Sequence, residues 1–333
     1  MEKFDLKKFQ EVGGLAAVGA SYREAFILLT AVHLDLFTTI SEQKFTAEDI
    51  AEILKFDLRA TIVFLDVLSS LNYLKKEKDI YKNSYYTSRY LVKGKTDYAG
   101  DILKNSFDQI PLWANIEKVL KTGKQIDFVQ TEKTAEEKRH FHLAMAEKGV
   151  FAAQTILELI DLGNIKNMLD VGGGAGTFPI VFCQKYDDLK CVIIDLQEST
   201  DLAEERIINA GLEERITTKT GNIFDTDYGK GFDLVFISNI IHFHSIEKAK
   251  ELFKKSFNAL TEGGKIIVKD YILDESRLFP KESTLFSLSM LLSTENGNCY
   301  TSREIKSSLE EAGFNNFNFV DLSDHSKMII AQK

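Results

Sequence analysis

The spacing of apolar and polar positions changes rhythm twice along the chain. From Gly13 to Phe37 apolar residues fill a segment without breakers, with Arg23 and Glu24 marking its polar face, and this predicts one long helix. Thr46-Ala47-Glu48-Asp49 has the form of a capping box opening a helix with Ile50, Ile53 and Leu54 turned inward. Asp57 is placed to cap a third helix carrying Leu58, Ile62, Leu65 and Leu68, and residues 73–81 read as two short strands around a charged turn. Three helices and a β-ribbon predict a winged-helix unit over residues 1–96. From 97 to 162 the pattern stays helical, with Pro111 near one start, Trp113, Ile116 and Leu120 following, and Gly123 as the stop.

Beyond residue 163 strands alternate with helices. Strands are expected at 166–171, 190–195, 215–220, 232–238 and 264–270, and helices at 177–186, 200–211 and 246–260. The last of these helices carries Ile246, Ala249, Leu252, Phe253, Phe257 and Leu260 on one face and lysines on the other. A helix at 302–313 and strands at 317–320 and 328–331 close the pattern. Such alternation predicts an α/β fold, a Rossmann-like doubly wound sheet occupying residues 163–333.

Length and composition narrow the functional classes. A chain of 333 residues exceeds one ordinary core, so two domains joined by the helical stretch 97–162 are expected. A net charge of −9 argues against a general binder of nucleic acid or anionic membrane. No signal peptide is evident, and no apolar run is read as approaching the roughly 20 residues of a membrane span. Cys183, Cys191 and Cys299 lack CxxC spacing and read as buried thiols of a cytoplasmic protein.

Chemistry concentrates where strand 166–171 ends, in Asp170-Val171-Gly172-Gly173-Gly174-Ala175-Gly176. Strand, glycine loop and helix is how an α/β sheet binds a nucleotide-like ligand. The dinucleotide fingerprint does not fit: a start at Gly172 would need glycine at Thr177, and a start at Gly174 would need it at Pro179. An acid directly before the loop would repel pyrophosphate but suits an ammonium or hydroxyl. The next strand ends in Asp195, about 20 residues on, where such folds place a carboxylate on a ribose diol. Two acids around a glycine loop describe a pocket for a ribosyl group with a cationic, amino-acid-like tail, the charge pattern of S-adenosylmethionine (SAM).

With those residues in view, Asp170 to Phe178 resembles motif I of class I SAM-dependent methyltransferases. Almost the whole chain resembles the small-molecule O-methyltransferases of the caffeate, hydroxyindole and bacterial polyketide type. The resemblance implies an N-terminal dimerisation domain, a homodimer, a small-molecule acceptor and S-adenosylhomocysteine as product. It assigns Asp170, Gly172, Gly174, Asp195, Leu196, Asn222, Ile223 and Ser238 to the cofactor. Asn222 stands where relatives carry an acid on the adenine amino group, so its amide oxygen would accept that bond without charge. Phe141 and Met145 match the family's F-x-x-x-M, which sandwiches a flat substrate ring, and Met290 falls on a helix lining the acceptor pocket. Simple core packing explains these three apolar residues equally well.

The resemblance also places a catalytic base at His242, although Phe243 and His244 depart from the plant pattern. Asp270 takes the position of a glutamate flanking the histidine but is one methylene shorter, and Cys299 replaces the second glutamate. A phenol near pKa 10 and an ordinary imidazole near 6.5 differ by about 3.5 units, roughly 5 kcal/mol, so proton and methyl must move together and the imidazolium needs a carboxylate. These departures leave open an S- or C-methyltransferase without a histidine base, and a SAM-sensing winged-helix regulator. The regulator is disfavoured by charge: residues 58–84 carry Arg59, Lys75, Lys76, Lys78 and Lys82 against Asp66, Glu77 and Asp79. No metal is expected: histidines 140 and 142 point about 200° apart on a helix, and although His242 and His244 could share one if extended, with Asp270 as a third ligand, the family that the chain resembles needs none.

Overall fold

The computed structural model describes residues 6–125 and 135–333, apart from the side chains of residues 6–12, 135–141, 144, 147 and 148. Two compact units are formed, Met1–Ile110 and Pro111–Lys333. The first contains α1 (Leu6–Ala20), α2 (Tyr22–His33), α3 (Leu36–Ile40), α4 (Ala47–Leu54) and α5 (Leu58–Ser70). The antiparallel ribbon β1 (Leu74–Glu77) and β2 (Ile80–Asn83) follows, then α6 (Tyr85–Tyr90) and α7 (Gly100–Asp108).

The long helix expected over 13–37 ends early because Asp35 is left-handed, with φ 54°. Lys104 of α7 holds one Asp35 oxygen at 2.7 Å and Lys93 the other at 2.9 Å, while Phe107 stacks on His33 at 4.0 Å. Residues 97–110, expected as part of a linker, therefore pack within the first unit. The capping box of Thr46 and Asp49 and the Asp57 cap on the Ala60 N–H are both present. Ile53, expected inward, is 50% exposed, and Leu58 and Ile62 are also exposed; the core here is Ile50, Leu65, Leu68, Leu74 and Tyr81.

Gly13–His33 corrects a second expectation, since these 21 residues are long and apolar enough to cross a membrane by length and composition alone. Leu15, Val18, Tyr22 and Phe26, spaced three or four apart, form an exposed stripe along it.

The second unit begins with α8 (Ile110–Ala114), which straddles the boundary, followed by α9 (Ile116–Thr122) and α10 (Ala135–Leu159). The single helix expected around Trp113 to Leu120 is thus two, and both of those side chains are exposed. Gly123, at φ 64°, ends α9 as anticipated. Then come β3 (Asn167–Val171), α11 (Thr177–Lys185), β4 (Lys190–Asp195), α12 (Gln197–Asn209), β5 (Ile216–Thr220) and β6 (Phe232–Ser238). A 3-10 turn (Ile241–Phe243), α13 (Ile246–Ala259), β7 (Leu260–Asp270), α14 (Lys281–Ser293), α15 (Ser302–Ala312), β8 (Asn315–Asp321) and β9 (Lys327–Gln332) complete it.

The seven strands run in the order β5-β4-β3-β6-β7-β9-β8. The first five are parallel, and β9 pairs antiparallel with β7 and β8. Strand order reverses between β3 and β6, opening a crevice at their carboxyl ends. The inner strands are apolar on both faces because both are covered. Leu169, Val171, Val235, Ile237, Ile266 and Val268 pack toward α13 and α15, while Met168, Leu234, Phe236 and Ile267 share a core with α10, α11 and α12.

Phe236 lies 4.9 Å from Phe178 and 5.7 Å from Phe182, ring centre to ring centre, and is fully buried. Phe236→Ala is expected to cost about 3–5 kcal/mol of stability in urea unfolding, because a cavity opens among rings that cannot all collapse into it.

Candidate active site

The glycine loop leaves β3 at the reversal point. Gly172, at φ 73°, donates its N–H to the Ile194 carbonyl at 2.8 Å, and a Cβ there would come within 2.2 Å of the Ile240 side chain. Both steric facts require glycine. Asp170 is 1% exposed, and neither of its carboxylate oxygens has a hydrogen-bond partner among the described residues. Burial, and then the charge of Asp195, push its pKa well above the usual carboxylate range. Asp195 closes the loop from β4: its Oδ2 accepts from the Gly174 N–H at 2.7 Å and its Oδ1 from the Leu196 N–H at 2.7 Å.

Two further groups shape this edge. Arg206 of α12 donates to the Ala175 carbonyl at 2.5 Å and to Thr177 Oγ1 at 2.8 Å, holding the start of α11 against the loop. After β5, Asn222 uses its amide oxygen to accept from the Phe224 N–H at 2.9 Å, which leaves its NH₂ group facing outward from an exposed residue. This bond uses one of the two lone pairs of the amide oxygen and leaves the other for the adenine expected there.

At the end of β6, Asn239 is left-handed at φ 57°, and its Oδ1 and Ser238 Oγ are buried without partners among the described residues. This bend delivers His242 into the 3-10 turn, 2% exposed, with Nδ1 2.6 Å from Asp270 Oδ1 at the end of β7. The shorter aspartate therefore reaches the imidazole. Asp270 Oδ1 also accepts from the Tyr271 N–H at 2.7 Å, and a neutral imidazole donating to this carboxylate through Nδ1 would present the lone pair of Nε2. Phe243 lies 4.3 Å from the imidazole centre and Phe286 of α14 stands edge-on at 4.7 Å, with Tyr271 4.4 Å behind it. Burial, followed by the charges of Asp324, Asp270 and Cys299, pushes the Tyr271 hydroxyl up to about 12. The Cys299 thiol is fully buried, and burial with the Asp270 charge pushes it up, so it stays protonated. His244 is turned away against Phe224, edge-on at 4.8 Å, and burial lowers its pKa, helped by His242 and Lys248.

The family described as O-methyltransferase domain covers residues 116–315, and the O-methyltransferase dimerisation domain covers residues 20–93. The chain belongs to the O-methyltransferase family. It is 27% identical over 313 residues, 92% of either chain, to the tetracenomycin polyketide synthesis 8-O-methyl transferase of Streptomyces glaucescens. To the acetylserotonin O-methyltransferase of Homo sapiens it is 25% identical over 325 residues, 92% of this chain and 93% of the relative. The solved human N-acetylserotonin methyltransferase in complex with SAM has the same fold, with a TM-score of 0.84 at 23% identity over 100% of this chain and 99% of that one.

The cofactor of this methyltransferase is SAM. Its own residues fit the group: the Asp170 carboxylate, without a partner among the described residues, could receive an ammonium, and Asp195 and Leu196 border the same loop. Gly172, Gly174 and Ser238 line the same edge, while Ile223 packs partly against the core. Of the acceptor residues expected from sequence, Met290 is buried on α14 and Met145 is half-buried on α10; the Phe141 side chain lies outside the described residues. Sequence reasoning missed Phe286 and Tyr271. Phe286 falls within the apolar run 285–292, where nothing distinguishes it from its neighbours until Asp270 and His242 are folded beneath it.

Asp170 supplies a signed test. Its folded pKa is raised, so the ligand-free methyltransferase loses stability as pH climbs from the unfolded value of 3.8 through the folded one. Asp170→Asn removes that slope. By differential scanning calorimetry without ligand at neutral pH, the variant is expected to unfold roughly 2–4 °C higher, equivalent to about 1 kcal/mol, while losing affinity for S-adenosylhomocysteine at least tenfold.

Proposed function

We propose that the enzyme methylates a hydroxyl oxygen of a small, flat aromatic acceptor, with His242 as general base and Asp270 as the group that orients it. The observation carrying this reading is the 2.6 Å bond between His242 Nδ1 and Asp270 Oδ1 at the sheet's carboxyl edge. When bound, SAM supplies a methyl group already activated on a sulfonium. Asp170 would hold the amino-acid end of the donor and Asp195 its ribose, while Leu196, Asn222 and Ile223 would flank the adenine. Nε2 of His242 would accept the acceptor's proton as the oxygen attacks. Asp270, whose Oδ2 has no other partner among the described residues, would stabilise the imidazolium so formed.

Rings around the imidazole support an aromatic acceptor. Phe243 and Phe286 exclude water from it, and the Tyr271 hydroxyl remains a neutral donor across the ordinary pH range. Met145 and Met290 would add polarisable contacts worth roughly 0.3–1.5 kcal/mol each to a ring stacked near them, enough to orient an acceptor. On a hydroxyarene found by transfer of labelled methyl, His242→Ala is expected to lower kcat about 10²–10⁴-fold. Asp270→Asn should lower it less and move the acidic limb of the pH profile, where a general base is lost to protonation, toward lower pH. Unchanged turnover in His242→Ala would remove that residue as the base.

The enzyme would act as a homodimer. The dimerisation domain match over residues 20–93 takes in Tyr22 and Phe26 of the exposed stripe and begins just after its Leu15 and Val18, an apolar surface that a second copy would cover. Analytical ultracentrifugation of Val18→Glu with Phe26→Glu is expected to show monomer where the wild type shows dimer.

A further inference from the structure

The lysines of α13 have the sequence pattern of a solvated face, and two of them depart from it. Lys255 Nζ donates to three main-chain carbonyls of one turn, Ile223 at 2.9 Å, Phe224 at 2.6 Å and Thr226 at 2.8 Å. It also lies 4.5 Å from the centre of the buried Tyr228 ring. An ammonium has three N–H donors, so this turn consumes them all. Lys248, two helical turns earlier, stands 5.1 Å over the Phe224 ring, whose edge contact with His244 links the turn to the catalytic segment.

Asn222 completes the arrangement from the opposite side. Its side-chain oxygen takes the Phe224 N–H, and its carbonyl takes the N–H groups of Asp225 at 3.0 Å and Thr226 at 2.9 Å. The polar backbone of residues 222–226 is thus divided between one asparagine and one lysine. Burial lowers the pKa of Lys255, in keeping with an ammonium whose direct partners are neutral carbonyls. An exposed lysine chosen only for solubility would gain little from giving up water on all three hydrogens.

We infer that Lys255 is a positioning residue for the methyl donor: it fixes the turn that presents Asn222 and Ile223 to the adenine, and so sets donor affinity without taking part in methyl transfer. This rests on the reading that Asn222 and Ile223 flank the donor. A residue that merely stabilised the domain would change unfolding and leave affinity alone.

The test uses the full chain with Lys255→Met, and Lys255→Arg as the rescue. Calorimetric titration with S-adenosylhomocysteine should show Kd raised at least tenfold in Lys255→Met and largely restored in Lys255→Arg. The KM for SAM should rise in parallel, while kcat at saturating SAM stays within about twofold of wild type. Amide exchange of residues 224–226 in the ligand-free protein should quicken at least tenfold, with β6 unchanged. Unaltered exchange and Kd in Lys255→Met would overturn the inference, as would a fall in kcat with KM unchanged. A quickened turn in a protein whose wild type binds no S-adenosylhomocysteine would overturn the donor assignment and leave the hold of Lys255 on the turn standing.

Discussion

A buried carboxyl group with no hydrogen-bond partner among the described residues is the constraint on which the catalytic unit turns. Asp170 lies one residue before the end of β3, next to the reversal of strand order, and is repelled by Asp195 across the glycine loop. A buried carboxyl of this kind either gives up its charge, the direction in which its pKa is pushed, or keeps it when a ligand supplies the opposite one. Other unsatisfied polar atoms lie at the ends of the adjoining strands: Ser238 Oγ and Asn239 Oδ1 after β6, and Asp270 Oδ2 after β7. Both faces of the sheet are sealed by aliphatic and aromatic side chains, so the strand ends are where polar chemistry remains available.

The two halves of the site are joined by the segments that follow β5 and β6. Phe224 belongs to the turn after β5, and its ring meets His244, two residues beyond His242. The Asn298 N–H bonds the His242 carbonyl at 2.9 Å, and a Cβ on Gly297 would come within 2.4 Å of that same oxygen. The imidazole is therefore fixed by its main chain as well as by Asp270. Such fixation suits a base that must meet a hydroxyl in one geometry, since misplacement by an ångström costs far more rate than a modest change in basicity.

Much of this was legible before folding. Asp170, Gly172 and Asp195 declare themselves because a loop rich in glycine between two acids has few other uses, and the strand and helix rhythm beyond residue 163 matches the observed sheet element by element. What stayed hidden depends on distance in space. The reach of Asp270 could not be read from side-chain length, because the φ 57° bend at Asn239 determines where His242 arrives. Lys255 looked like any lysine on an amphipathic helix, and Phe286 like any phenylalanine in an apolar run. In the first unit the left-handed Asp35 ended a helix that periodicity extended to Phe37, since the two lysines that hold it come from about 60 to 70 residues later in the chain. Ile53 was misjudged for a related reason: helical spacing identifies an apolar face but not whether the chain itself covers it.

The proposed donor site depends most directly on Asp195, beside the glycine loop. Asp195 bonds the Gly174 and Leu196 N–H groups, and in the account it also receives the donor's diol. The direct measurement is calorimetric titration of wild type and Asp195→Ala with S-adenosylhomocysteine, after any co-purified ligand has been removed. The account predicts micromolar binding by the wild type that is lost in the variant; equal binding by both, or none by the wild type, would contradict it.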